Sequence, residues 1–228
     1  MSEPYKDRVQ AGIVLAQNLT QYASNAGLLV LGLPRGGVVV AAEVAAALHA
    51  ELNVFIVRKL GVPYQPELAM GAVAEDGIVF LNDSVVDYFG LSKETIDDAV
   101  KQEVIELKRR VELYRRGRAA PKIRGRTVIV VDDGVATGAT MKVAIRALRK
   151  SEPQKIIVGV PVGAESTCRE LNKEADELVC VLSPEPFTAV GSWYLHFEQT
   201  SDEEVCEVLE KYKSRYSARE AGNNYESK

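Results

Sequence analysis

Short apolar runs alternate with amphipathic or alanine-rich stretches along most of the chain, and that alternation sets the expected architecture. Leu28 to Leu33 reads as a fully buried strand, as do Val54 to Val57, Thr127 to Val131, Ile156 to Val160 and Leu178 to Leu182. Between them, Asp7 to Tyr22 places Val9, Ile13, Leu15, Ala16 and Leu19 at helical spacing, and Val38 to Ala50 is apolar enough for a core helix. Ser92 is placed to cap a long helix from Lys93 to about Arg116, and Gly138 to Lys150 forms another. Buried strands separated by helices predict an α/β fold with a central, mostly parallel five-stranded sheet covered on both faces. Glu75-Asp76-Gly77, set between Ala72-Val73 and Ile78-Val79-Phe80, predicts a β-hairpin. Leu60 to Met70 contains Gly61, Pro63 and Pro66, has no clear period and reads as a loop. Lys213 to Lys228 reads as a polar tail that frays.

In such sheets ligands bind beyond the carboxyl ends of the strands. The third strand ends in Val130-Val131-Asp132-Asp133-Gly134-Val135-Ala136-Thr137-Gly138-Ala139-Thr140. Phosphate contacts need bare backbone N–H groups, and Gly134, Ala136, Gly138 and Ala139 let a ligand come close to that backbone. Thr137 and Thr140 add hydroxyl donors. Asp132 and Asp133 would repel a phosphate, so their partners are sugar hydroxyls or a hydrated cation. The segment is not a Walker loop, because Gly138 is followed by Ala139 rather than Lys, and no G-x-G-x-x-G occurs here or around Gly32, Gly36 and Gly37.

A length of 228 residues, 46% hydrophobic and 26% charged, suits one domain with a substantial core. The net charge of −4 gives no broad attraction for nucleic acid or acidic membranes, and neither is an expected partner. Cys168, Cys180 and Cys206 are odd in number and too widely spaced for a zinc pair, so they read as buried or idle thiols in a reducing compartment. With no charged start leading into an apolar run, a cytoplasmic protein is expected.

The Val130 to Thr140 segment resembles the phosphoribosyl pyrophosphate (PRPP) signature of the type I phosphoribosyltransferases: an apolar strand, two acids, then small residues ending in Thr-Gly-x-Thr. The likeness runs over roughly residues 28 to 200. It implies a single domain over 1–228, with a small hood from about 1–25 and 183–200 and a β-hairpin loop. Val135, Ala136, Thr137, Gly138, Ala139 and Thr140 would take the 5-phosphate. Asp132 and Asp133 would hold the ribose hydroxyls, with Mg2+ reached through the ribose or water. Leu33-Pro34-Arg35-Gly36-Gly37 stands where the family holds pyrophosphate, so Arg35, Gly36 and Gly37 would bind it; alone, the triplet is also an ordinary tight turn. Arg58 and Lys59 read either as surface charge or, by the resemblance, as catalytic cations that neutralise departing pyrophosphate, with Lys59 also binding it and a mobile loop following them.

The acceptor is less legible. Phe187, Val190, Trp193 and Tyr194 occupy a stretch similar to the base-binding segment of the purine-salvage branch, and the aromatic residues read equally as anchors that pin this stretch to the sheet. Pro186 stands where that branch carries Lys, and Ala136 where it carries Asp; the Ala-Thr-Gly form is closer to the adenine and orotate branches. His196 reads as a proton carrier or a surface histidine, and His49 as structural. The resemblance implies a pentosyltransferase that joins PRPP to a nitrogenous base or related amine, with homodimerisation. A PRPP-sensing module without turnover and a phosphoribosyl hydrolase are the alternatives.

Overall fold

Period-two alternation along the core strands closes both faces of the main sheet. The computed structural model describes residues 3–75, 77–117 and 119–226, so Asp76 of the expected hairpin turn and the two outermost residues at each end lie outside the described residues. Five strands run parallel in the order β2 (Glu51–Val54), β1 (Leu29–Gly32), β6 (Thr127–Val131), β7 (Lys155–Val162) and β8 (Glu177–Leu182). On β6, Val128 and Val130 pack with Met141, Ile145 and Leu148 of α5 (Ala139–Lys150) and Leu171 of α6 (Glu165–Glu174). Ile129 and Val131 point the other way, to Leu15 of α1 (Arg8–Gln17) and to Val40 and Val44 of α2 (Gly36–Leu48). Each such buried side chain contributes about 1.5–3 kcal/mol, and a one-residue slip would exchange the two faces.

A second, antiparallel sheet is built from β3 (Val57–Val62), β4 (Gln65–Ala74) and β5 (Val79–Leu81). Its Leu60, Val62 and Met70 pack with Ile96, Leu107 and Tyr114 of α4 (Lys93–Arg115) and Val205 and Leu209 of α7 (Asp202–Glu226). A short α3 (Asp83–Phe89) leads into α4, where the Ser92 hydroxyl accepts from the Thr95 N–H at 3.1 Å as a helix cap. The N-terminal segment meets the 183–200 stretch: Tyr5 N–H donates to the Trp193 carbonyl and Leu195 N–H to the Tyr5 carbonyl, both at 2.8 Å. No helix among the described residues is long and apolar enough to cross a membrane.

Three expectations need correction. The apolar run Val54 to Val57 is not one strand: β2 ends at Val54, Phe55 and Ile56 turn, and Val57 starts β3 in the other sheet. All four are apolar, so hydropathy alone could not show the break. Leu60 to Met70 is not an aperiodic loop but the β3–β4 hairpin, with Val62 paired to Gln65 across the Pro63-Tyr64 turn. The register shifts on either side of Gly61 hide its alternation. The stretch expected as a polar tail continues α7 as far as Glu226.

Candidate active site

β1 and β6 are neighbours, yet the helices that follow them leave on opposite faces, α2 on one and α5 on the other. That reversal opens a crevice beyond the strand ends, the place where open α/β sheets bind ligands. The turn after β1 and the loop after β6 are tied there by the Leu33 N–H, which donates to the Val131 carbonyl at 2.9 Å. The Pro34–Arg35 peptide is cis. A Cβ on Gly36 would sit 1.9 Å from Asp133 Oδ2, and one on Gly37 2.8 Å from the Val131 carbonyl oxygen and 2.9 Å from Asp132 Cα. The two glycines are therefore in direct contact with the acid pair: at Gly37 a side chain would meet backbone, and at Gly36 it would displace the Asp133 carboxylate.

Asp132 Oδ1 accepts from the Asp133 N–H at 2.9 Å, which fixes one carboxylate. Arg8 Nε lies 2.7 Å from Asp133 Oδ2. The same guanidinium donates to the Glu198 carbonyl at 2.8 Å and lies 4.0 Å from the centre of the Phe197 ring. Tyr194 donates its hydroxyl to the Asp133 carbonyl. Burial, then the neighbouring Asp133 charge, raises the Asp132 carboxyl well above its ordinary value. Burial raises Asp133 too, opposed by Arg8. Burial and then Asp133 push the Tyr194 phenol up, which keeps it a donor.

The loop Val135–Thr140 is braced from beneath. Val135 N–H donates to the Val162 carbonyl and Ala164 N–H to the Val135 carbonyl, each at 3.0 Å. Thr167 of α6 donates its hydroxyl to the Ala136 carbonyl at 2.5 Å. Gly138 has φ +68, a left-handed conformation that opens α5, and a Cβ there would meet Thr167 Cγ2 at 2.6 Å. Ala136, Thr137 and Thr140 are exposed above this base, and the first N–H groups of α5 have no partner within the helix. Thr137 and Ala139 also line a cavity of about 240 Å3 with Gly71, Phe80, Lys142 and Arg146.

Arg35 reaches towards α7, where its Nη1 is 3.9 Å from Asp202 Oδ1. Asp202 also takes Arg109 of α4 at 3.0 Å and the Tyr114 hydroxyl, and Tyr114 first, then Arg109, holds its carboxyl below the ordinary range. Arg58 and Lys59 project to opposite faces of β3. Arg58 is paired with Glu103 of α4, Nε to Oε2 at 2.6 Å. Lys59 shares the other face with Val57, which packs on the α5 side.

Phe187, Val190 and Trp193 join one apolar cluster with Tyr5, Val162, Tyr194 and Phe197, and a Cβ on Gly134 would meet Val190 Cγ1 at 2.5 Å. His196 is exposed and lines a cavity of about 420 Å3 with Arg8, Val39, Glu204 and Lys211. His49 caps the C-terminus of α2 at φ 55. Sequence reasoning missed Arg8, Thr167 and Asp202, and it read Tyr194 as an acceptor platform or an anchor rather than as the donor to the Asp133 carbonyl. Arg8 stands 125 residues from its partner, and no local pattern marks it.

The fold thus brings the turn after β1 and the loop after β6 side by side at the switch point of a parallel sheet. Residues 3–193 match the phosphoribosyl transferase domain model, and the chain belongs to that family. It is similar, at 48% identity over 207 residues and 91% of its length, to a Mycobacterium tuberculosis protein provisionally named a phosphoribosyl transferase. The match takes in 46% of that relative, so the chain spans about half the length of the curated relatives it matches. The crystal structure of TT1426 from Thermus thermophilus superposes with a TM-score of 0.83 at 40% identity, over 92% of this chain and 99% of TT1426.

Proposed function

We propose that the protein transfers the 5-phosphoribosyl group of PRPP to a nitrogenous base or related amine, releasing pyrophosphate. The observation that carries this reading is the packing of Gly36 and Gly37 onto Asp132 and Asp133. It sets a turn for one anion beside sugar-binding acids, with a helix-start loop for a second anion next to them. PRPP presents that sequence of groups: pyrophosphate, ribose hydroxyls, 5-phosphate.

Val135 to Thr140 hold the 5-phosphate through backbone donors, which fixes the sugar while its other end reacts. Asp132 and Asp133 take the ribose hydroxyls, and their charge faces the cation that grows on the ring as the bond to pyrophosphate breaks. Arg35, the Gly36 and Gly37 amides and Lys59 take the leaving group. Phe187, Val190 and Trp193 border the acceptor through their exposed edges. Asp132 and Asp133 are hard oxygen donors of the kind Mg2+ accepts, and no group of three or more His, Cys, Asp or Glu among the described residues could hold a metal. Substrate oxygens and water would complete the shell. When bound, the ion neutralises charge on the pyrophosphate.

The deciding assay incubates the protein with PRPP, magnesium and a panel of bases and amines while pyrophosphate release and PRPP binding are followed. Acceptor-dependent release is expected. Release without acceptor would make the protein a hydrolase, binding without release a sensor, and neither would end the proposal.

Two variants test assigned roles. If Lys59 is the cation that meets the leaving group, Lys59→Ala is expected to lower kcat about a hundredfold, while Arg58→Ala, which removes the Glu103 pair, leaves it within about threefold. Equal losses in steady-state kinetics would refute the division. Arg8 opposes the rise of the Asp133 pKa, so Arg8→Ala lets it climb further. If Asp133 works ionised, the acid limb of kcat/KM for PRPP then moves to higher pH, with a loss of about ten- to a hundredfold. An unmoved limb would remove Arg8 from the site.

A further inference from the structure

Two of the three cysteines, 12 residues apart in sequence, meet in the fold. Cys168 lies in the first turn of α6 and Cys180 on β8, with their sulfurs 3.1 Å apart. We propose that Cys168 and Cys180 form an oxidisable pair, placed by the packing of α6 against β8 to close into an intramolecular disulfide when hydrogen peroxide reaches them.

The surroundings suit this chemistry. Ser183 Oγ lies 3.4 Å from Cys180 Sγ and 3.8 Å from Cys168 Sγ. The contact between the two sulfurs lowers the Cys168 thiol and raises that of Cys180, so Cys168 is the readier of the two to ionise. Cys180 is pushed up, first by Cys168 and then by burial, and stays the protonated partner. Cys168 is buried and Cys180 half-buried, and an open groove lined by Glu165, Ser166, Pro184 and Phe187 runs past the first turn of α6, where Ser166 stands two residues before Cys168.

The steps balance. The Cys168 thiolate attacks one peroxide oxygen and the O–O bond breaks, leaving a sulfenic acid and hydroxide, which is protonated to water. Cys180 then attacks Cys168 Sγ, the S–O bond breaks, and the departing hydroxide takes the Cys180 proton as a second water. The sulfurs lose two electrons in total, and the peroxide gains them.

The pair also adjoins the phosphate loop. Both sulfurs crowd Gly163, where a Cβ would meet Cys168 Sγ at 2.7 Å and Cys180 Sγ at 3.4 Å. Gly163 pairs with Val135, and Thr167, next to Cys168, holds the Ala136 carbonyl. Closing the sulfurs from 3.1 Å to about 2.05 Å pulls the first turn of α6 towards β8. The Thr167 brace moves with it, so the oxidised protein is expected to bind PRPP about tenfold more weakly.

The test treats the intact protein with hydrogen peroxide, alkylates it and counts thiols under denaturing conditions. Titratable thiols should fall from the three free cysteines to one. The mass should drop by about 2 Da before alkylation, a single peptide should join Cys168 to Cys180, and dithiothreitol should reverse all of it. Cys206→Ser should oxidise normally, while Cys180→Ser should yield a Cys168 sulfenic acid that dimedone captures. Three surviving thiols, over-oxidation of Cys168 without a cross-link, or disulfides between chains would each overturn the pair. Calorimetry with PRPP on both forms tests the link to the loop, and equal affinities would overturn that link. If the reduced protein does not bind PRPP, the transferase reading fails, and the thiol count still decides the pair.

Discussion

Replacing Asp132 and Asp133 together by Asn is expected to lower kcat/KM for PRPP by about two to four orders of magnitude. Each carboxylate that accepts from a sugar hydroxyl contributes about 1.5–3 kcal/mol, and both are lost at once. Folding should not suffer. Asp132 is held protonated more tightly in the folded protein than in the unfolded chain, because burial and the Asp133 charge raise it. The folded state therefore binds the extra proton, and stability falls as pH rises from the ordinary carboxylate range through the raised value. Asp132→Asn removes that loss, so its Tm should exceed wild type above this window and match it below. Calorimetric Tm values across pH, set beside steady-state kinetics, separate the two effects. Turnover of the double variant within tenfold of wild type would take the sugar away from these acids.

Gly36→Ala should be among the most damaging single changes that leave the fold intact. Its methyl group would be 1.9 Å from Asp133 Oδ2 and 2.6 Å from Arg8 Nε, both ends of side chains that can swing aside. The protein folds, but the carboxylate leaves its place and the Arg8 pair breaks. A displacement of about 1 Å at a reacting centre costs about a hundredfold, which is the expected fall in kcat/KM. Gly37→Ala meets backbone instead, the Val131 carbonyl and Asp132 Cα, which cannot swing. That variant should lose Tm as well as activity. If Gly36→Ala kept full activity, the turn and the acids would not act on one ligand.

The inner strands of the main sheet were legible because they are buried on both faces and spell themselves out as apolar runs, as Thr127 to Val131 does without an exposed position, whereas the edge strand Glu51–Val54 is half-buried and was misplaced. The loop after it was legible because bare amides demand small residues, whatever the rest of the chain contains. The β3–β4 hairpin was hidden, since Gly61 breaks its register and Pro63 marks its turn with residues that elsewhere mean loop. Arg8, Thr167 and Asp202 were hidden for another reason. Each acts through a contact that exists only once distant parts of the chain are packed, and an Arg in a first helical turn looks like any surface charge. The same is true of Cys168 and Cys180, whose spacing is unremarkable in one dimension.

Arg8 leans on Phe197 and the Glu198 carbonyl, and Arg35 on Asp202. A chain emerging from the ribosome thus finishes its strands, its phosphate loop and its acid pair well before the groups that orient its two site arginines exist. Such a half-made polypeptide can collapse around the sheet while staying chemically idle, and an energy-rich sugar drifting into the crevice would leave again unspent.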